Sequence, residues 1–346
     1  MKTADLDYAL PQDLIAQTPI EPRDAARLLV LDRAGGTLAH RRFRDLGEYL
    51  RRGDVLVFND TRVLHVRLSA VKIPTGGRVE VLLLKRLDEV TWETLVRGAG
   101  VRRGTRLRIV PAAGQTDVEV TAEIVAALDL GGRVLKFDRP IEAHLDTLGS
   151  VPLPPYIHQP LRDPERYQTV YARVAGSAAA PTAGLHFTPG LMQSLRDQGV
   201  EMAFVELRVG LDTFRPIDED EVEQHRIHAE HCCLSAEAAG QIERARRVGE
   251  RVIAVGTTSV RTLETAARQG SDRRVLPFEG ETGLFITPGF EFRAVDAMIT
   301  NFHLPRSTLL ALVAAFAGRD TILQAYRTAI AERYRFFSFG DAMLIL

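Results

Sequence analysis

Cysteine is nearly absent from this 346-residue chain, and the two that occur, Cys232 and Cys233, are neighbours. Adjacent thiols suit neither an ordinary structural disulfide nor a zinc site with spaced ligands, so both are expected to be plain strand residues. No run of about 18 apolar residues is present, so hydropathy predicts no membrane-spanning helix. The opening MKTADLDYALPQDL places acids where a secretory leader would carry basic and then apolar residues, and the cytoplasm is the expected compartment. GxxxxGK[ST], GxGxxG and HExxH are all missing, and HxxEH fails at Ile227, so no nucleotide-phosphate loop, dinucleotide fingerprint or zinc-protease motif is expected. An excess of one charge is missing too: 44 basic against 45 acidic side chains give −1. Contact with nucleic acid would therefore rest on local patches. Two exist, one of Arg97, Arg102, Arg103, Arg106 and Arg108, the other of Arg244, Arg246, Arg247 and Arg251.

What is present is an α/β pattern interrupted once. A hydrophobic content of 45% over this length can bury a full core, and the length suggests two domains. Residues 6–19 predict a short helix with Pro11 in its first turn, and Arg27 to Phe43 a hairpin turning at Gly35 and Gly36. Asp54 to Asp60, DVLVFND, is a continuous apolar run of the kind buried on both faces of a sheet. From Val63 to Asp138 six β-rich segments follow one another with turn residues between them and no clear helix, as in a small closed barrel or sandwich. VPLPPYIHQP, residues 151–160, must be extended, a linker or a rigid wall carrying Tyr156. Helix and strand then alternate. Thr188 caps a helix starting at Pro189, HRIHAEHCCL (225–234) reads as a strand with Arg226, His228 and Glu230 on one face, and RVIAV leads into a helix at GTTSVRTLE. Two helices, the second over about 321–335, precede a buried terminal strand. The expected fold is α/β, a mixed sheet with helices, with an inserted small all-β barrel-like domain. Its expected boundaries are 1–62 and 151–346 for a discontinuous α/β catalytic domain and 63–150 for the insert.

Polar residues gather where predicted strands end and helices begin, at Asp60, His186, Asp212, Thr257 and Asn301. In an open α/β sheet that edge is where small-molecule sites form. APTAGLHFTPG, Ala180 to Gly190, sets His186 and Phe187 on the approach to a helix start, with small residues that let backbone come close to a ligand. The plainer alternative is a tight connection around a satisfied structural histidine. Gly256, Thr257, Thr258 and Ser259 offer N–H groups and hydroxyls at a helix N-terminus, suited to a carboxylate or phosphate. Residue chemistry thus reaches an α/β enzyme with an anion-binding helix start, no metal and no nucleotide-phosphate motif. The substrate does not follow from it.

FNDTRV (58–63), PPYI (154–157), RYQTVYA (166–172), APTAGLHFT, VGLDTFRPI (209–217), GTTSVRTLE (256–264), ETGLFITPG (281–289), ITNFHLPRSTLL (299–310) and AERYRFFSFGDAMLIL together resemble the S-adenosylmethionine:tRNA ribosyltransferase-isomerase family of queuosine biosynthesis. The resemblance runs in order over nearly the whole chain and thins through the β-rich insert. Where the family has MHSEYY this chain has IHAEHC (227–232), which keeps the histidine and the glutamate but not the serine and tyrosines. The family's GSVAAPTAGLHF is GSAAAPTAGLHF here.

The resemblance implies that S-adenosylmethionine donates its ribosyl carbons to 7-aminomethyl-7-deazaguanine at the tRNA wobble position, giving epoxyqueuosine and releasing adenine and methionine. S-adenosylmethionine is then a substrate, and no cofactor or metal is implied. Such chemistry requires a base for the C5′ hydrogen that the sulfonium acidifies, help for departing adenine, and a grip on the zwitterionic tail. The expected base is Glu230 or Asp212, and His228 or His186 is expected to serve adenine. Thr257, Thr258, Ser259 and Arg261 are expected at the methionine carboxylate, Phe187 and Phe302 as purine-stacking rings, and Asp60, Thr61, Arg62, Thr182, Asn301, His303 and Arg306 as site lining. The arginine patches become tRNA-phosphate contacts; a monomer with no membrane partner is expected. Two other classes predict different products: a non-catalytic RNA-binding module on the β insert releases no adenine, and a methyltransferase leaves S-adenosylhomocysteine.

Overall fold

The computed structural model describes residues 1–112, 118–128, 132–210, 216–227, 229–270 and 272–346. The chain divides into two compact units, one of Met1–Arg62, Pro154–Val174 and Ala180–Leu346, the other of Val63–Leu153 and Ala175–Ala179.

The first unit is built on a nine-stranded mixed sheet. Edge to edge its strands are Phe278–Thr282, Glu230–Leu234, Glu201–Leu207, Val55–Asn59, Val252–Val255, Ala297–Asn301, Ala342–Ile345, Arg27–Asp32 and Thr37–Arg42. The four strands from Glu201–Leu207 to Ala297–Asn301 are parallel to one another. Side chains alternate across the sheet: Leu29, Leu31, Val55, Val57, Val252 and Ala254 enter one core, and Leu28, Val30, Leu56, Phe58, Ile253 and Val255 the other. Burial on both faces is why these strands read as unbroken apolar runs. Thr188 and Ser307 cap the helices Pro189–Asp197 and Thr308–Ala317, each accepting a backbone N–H at 3.1 Å. Among the described residues no single helix is long and apolar enough to cross a membrane.

In the second unit six antiparallel strands close on themselves in the order Arg67–Ile73, Arg78–Arg86, Thr91–Arg97, Gly132–Phe137, Thr121–Ala127, Arg106–Val110 and back to the first. Leu68, Val81, Leu107, Ile124 and Leu135 fill the interior. The fold is therefore mixed α/β with a closed β-barrel, the class that the sequence pattern predicts. Cys232 and Cys233 are free thiols on a strand, as expected.

Two local expectations change. Residues 6–19 form no α-helix, only the 3₁₀ turns Thr3–Leu6 and Gln12–Leu14, because the backbone there bonds the C-terminal segment: Phe336 N–H donates to Leu14 O at 2.8 Å and Ala16 N–H to Phe336 O at 3.2 Å. The strand expected over 225–234 begins only at Glu230, since its partner strand ends at Thr282, directly opposite. His225 instead bonds Glu219 at 2.7 Å.

Candidate active site

In chain order, Glu201–Leu207 is added on one side of Val55–Asn59 and Val252–Val255 on the other. Connections that leave in opposite directions open a crevice at the carboxyl ends of the two adjacent strands, the usual place for a ligand in such a sheet. Here a cleft opens, lined by Thr182 and Ala183, Gly256 to Thr258, Thr300 to Leu304, and Tyr156, Phe337 and Ser338.

The helix Thr257–Ala266 starts in this cleft. Gly256 turns the chain into it with φ +88°, a conformation that glycine adopts without strain. By helix geometry the first N–H groups have no partner within the helix. Ser259 Oγ donates back to Val255 O at 2.9 Å. Thr258 Oγ1 is buried, and among the described residues it has no hydrogen-bond partner. An N–H rich, positively polarised helix start with an unused hydroxyl is a site for a carboxylate or phosphate oxygen.

Asn301, at the tip of its strand, joins three segments. Its Oδ1 accepts from Thr182 Oγ1 at 2.8 Å, and its Nδ2 donates to Phe337 O at 3.3 Å and stands 3.4 Å from His186 Nε2. Phe337 has φ +71°, unusual for a side chain of that size. Asn301 and the Phe302 carbonyl, 3.1 Å from Phe337 N, hold it there.

Burial dominates the two described histidines of the expected site. The His186 imidazole is pushed down to about 3, first by burial and then by the Arg335 and Arg23 charges; the His303 imidazole is also pushed to about 3, by burial. His303 Nε2 lies 2.7 Å from Thr300 Oγ1, and the His303 backbone N–H donates to Tyr326 Oη at 2.9 Å. Both rings are neutral near pH 7. His303 borders the cleft, whereas His186 packs on Phe43 behind Asn301.

The structure distributes the other expected residues unevenly. Thr182, Thr257, Thr258, Asn301, Phe302 and His303 meet at the cleft. Phe187 lies in the core, edge-on to Phe43 and Phe58 at 5.0 and 4.9 Å, and offers no face to a purine. Phe302 is also fully buried, with its ring among Tyr326, Tyr334 and Phe336. Gly184 makes room for Tyr171, whose hydroxyl would stand 1.9 Å from an added Cβ, so this small residue serves internal packing. Arg261 forms a buried ion pair with Glu230 and also donates to Leu284 O at 3.2 Å and Thr282 O at 3.3 Å. Glu230 accepts the Gly210 N–H at 2.7 Å. Asp60 is buried against Arg173, with Oδ2 at 3.1 and 2.8 Å from the guanidinium; burial raises its carboxyl and Arg173 opposes the rise. Thr61 Oγ1 reaches Val174 O at 3.4 Å. Arg62 pairs with Glu165, and Arg306 with Asp7, both on the surface. Asp212 and His228 lie outside the described residues.

Tyr156 and Ser338 line the cleft without having been expected as site residues. The Tyr156 hydroxyl bonds Ser338 Oγ at 2.7 Å, and burial pushes its phenol up to about 12. The proline-dense stretch pointed to a wall at Tyr156, whereas nothing local marks Ser338.

The family model described as "Queuosine biosynthesis protein" matches residues 3–345. A protein of Symbiobacterium thermophilum named S-adenosylmethionine:tRNA ribosyltransferase-isomerase is 56% identical, and one of Moorella thermoacetica with the same name is 54% identical; each alignment covers 100% of both chains. A crystal structure of S-adenosylmethionine tRNA ribosyltransferase from Thermotoga maritima is 42% identical, with a TM-score of 0.57 over 99% of this chain and 100% of that one. A match of this extent leaves one assignment: the chain belongs to the queuosine biosynthesis protein family, among its S-adenosylmethionine:tRNA ribosyltransferase-isomerases.

Proposed function

We propose that this enzyme transfers and isomerises the ribosyl moiety of S-adenosylmethionine onto 7-aminomethyl-7-deazaguanine at the tRNA wobble position, giving epoxyqueuosine-tRNA, adenine and methionine. The observation that carries the proposal within the structure is the helix start at Gly256 to Ser259, which opens into the switch-point cleft with the Thr258 hydroxyl buried and unpartnered. S-adenosylmethionine is consumed as a substrate, and its methionine carboxylate sits on the Thr257 and Thr258 groups.

The remaining roles follow from which groups are already engaged. Arg261 is held by Glu230, so that pair acts as positioning machinery for Gly210, not as the carboxylate grip. Asp212 is the proposed base for the C5′ proton, with Glu230 as the alternative. His186 is neutral and bonded toward Asn301, so it keeps the pocket's shape, and His228 is the proposed proton donor to adenine.

The test is to mix the protein with S-adenosylmethionine and tRNA bearing the aminomethyl base and to measure free adenine. Adenine release with loss of the aminomethyl nucleoside is expected. S-adenosylhomocysteine in its place would make the protein a methyltransferase, and neither product would leave only an RNA-binding role. Solvent deuterium exchange at C5′ should fall in Asp212→Asn; exchange that fell only in Glu230→Gln would transfer the base to Glu230.

A further inference from the structure

The barrel carries a second feature, distinct in its chemistry from the cleft. Strand register sorts its residues by face, because side chains of directly paired residues project on the same side. Val71 pairs with Arg78 on one neighbouring strand and with Arg108 on the other, so Arg108, Val71 and Arg78 form one row on the outer face. The next row towards the end of Arg67–Ile73 sets Arg106 beside Ile73, and the row on the other side sets Arg97 beside Glu80 and Ser69. Val79, Leu107 and Ile109, the alternate residues, enter the core, which fixes the arginines outward. Arg102 and Arg103 stand in the connection between Thr91–Arg97 and Arg106–Val110.

All six arginines are exposed, and among the described residues none has a side-chain hydrogen bond or ion pair. Glu80 and Glu123 share the face by register, yet neither is joined to an arginine. The second basic patch differs in half of its members: Arg246 donates to Arg273 O, Arg293 O and Glu243, and Arg251 grips Asp54, so these two guanidiniums are occupied by the fold and only Arg244 and Arg247 stand exposed. Along a strand Arg106 and Arg108 are about 7 Å apart, and across two strand spacings Arg78 and Arg108 are about 10 Å apart at the backbone. Long side chains at such spacings can bracket phosphates of one strand, with five donors each and no internal acceptor to satisfy.

We infer that this outer face of the barrel, Arg78, Arg97, Arg102, Arg103, Arg106 and Arg108, binds the phosphodiester backbone of the tRNA substrate. The inference rests on the tRNA substrate proposed above and adds the surface that holds it. Arg78 enters the set only through register, as it lies well before the other five in sequence.

The test measures tRNA affinity as a function of salt for the wild type, for R78Q/R97Q/R106Q/R108Q, for the same four changed to Lys, and for the turn pair R102Q/R103Q. Each neutralised phosphate contributes about 0.7–0.9 to the slope of log K against log salt. The four-Gln variant should lose roughly 3 from that slope, with a tenfold or greater rise in KM for tRNA and an unchanged KM for S-adenosylmethionine. The four-Lys variant should keep most of the slope, and the turn pair, which leaves the strands untouched, should lose roughly 1–2. Wild-type affinity and slope in both Gln variants would overturn the inference and leave the face to solvent or to an acidic protein. A wild type that binds tRNA with a steep slope but releases no adenine would sink the catalytic reading while leaving this test decisive.

Discussion

In the α/β unit most deeply buried carboxylates have opposite partners: Arg261 lies on Glu230, Arg251 on Asp54, Arg268 on Glu264 and Arg173 on Asp60, while Asp341 accepts the Arg27 and Arg335 backbone N–H groups, each at 2.8 Å. On the outer face of the barrel six arginines stand exposed with none among the described residues. Burial makes the difference, since an unpaired charge inside a protein costs far more than the same charge at the surface. A charge paired for that reason shapes the fold and is not free for a ligand. In the proposed site the anion grip is therefore left to neutral dipoles, the helix-start N–H groups and the Thr258 hydroxyl, while the proposed attraction for a polyanion falls to exposed arginines that the fold does not occupy.

The comparison breaks most sharply at Arg261. Arg261→Leu takes the guanidinium from the buried Glu230 carboxylate and should cost about 3–5 kcal/mol of stability by urea unfolding, and Arg261→Leu/Glu230→Leu should recover part of that loss. Arg106→Gln on the barrel should change stability by no more than about 0.5 kcal/mol. Equal effects at the two sites would dissolve the distinction between shaping and available charge.

A pH titration sharpens it next. The His186 and His303 imidazoles stay neutral in the fold down to about 3, against an ordinary value of 6.5. Below 6.5 the unfolded chain binds a proton on each that the folded chain does not, so stability falls as pH drops and these groups contribute no slope above about 7. Each ring should contribute ~1.4 kcal/mol per pH unit between about pH 6 and 4. His186→Gln should remove one ring's share of that slope in chemical unfolding at graded pH, whereas an unchanged slope would mean that the ring is protonated in the fold.

The sequence made the architecture legible because the physics there is local and repetitive. Apolar runs such as VLVFN betray double-faced burial, six alternating segments betray the barrel, and Thr188 marks the start of its helix. The cleft's position was legible as well, since Thr257 and Asn301 sit at strand ends. What could not be read was which polar groups are already used. His186 and Arg261 look like chemistry in a string of letters, but Asn301 lies 115 residues from the one and Glu230 31 residues from the other. Phe187 reads as a ring near a glycine loop, and only its full burial beside Phe43 and Phe58 shows that it has no face free. Tyr156 and Ser338, 182 residues apart, meet across the cleft for the same nonlocal reason.

Thr258→Val tests the neutral grip directly. The change keeps shape and removes one hydroxyl, so KM for S-adenosylmethionine should rise about tenfold, in line with a hydrogen bond to a charged group, while stability stays the same or improves because an unsatisfied buried oxygen is lost. An unchanged KM would take the carboxylate away from this helix start.

Arg62 and Arg306 are the places where the contrast should fail, because they are arginines of the α/β unit that behave like surface charge. Arg62 pairs with Glu165 at side-chain exposures of 39% and 60%, and Arg306 with Asp7 at 53% and 38%. Water screens both pairs, and each is worth at most about 1 kcal/mol. Arg62→Ala should therefore lower stability by a few tenths of a kcal/mol to about 1 kcal/mol, with KM for S-adenosylmethionine unchanged, since its partner lies on the surface and not at the cleft. Arg306 has φ +54°, so the variant that isolates its charge is Arg306→Asn, which tolerates the left-handed backbone. If either substitution raised KM for S-adenosylmethionine as much as Thr258→Val, exposure would no longer separate shaping charge from binding charge, and the site would have to extend from the cleft to these pairs.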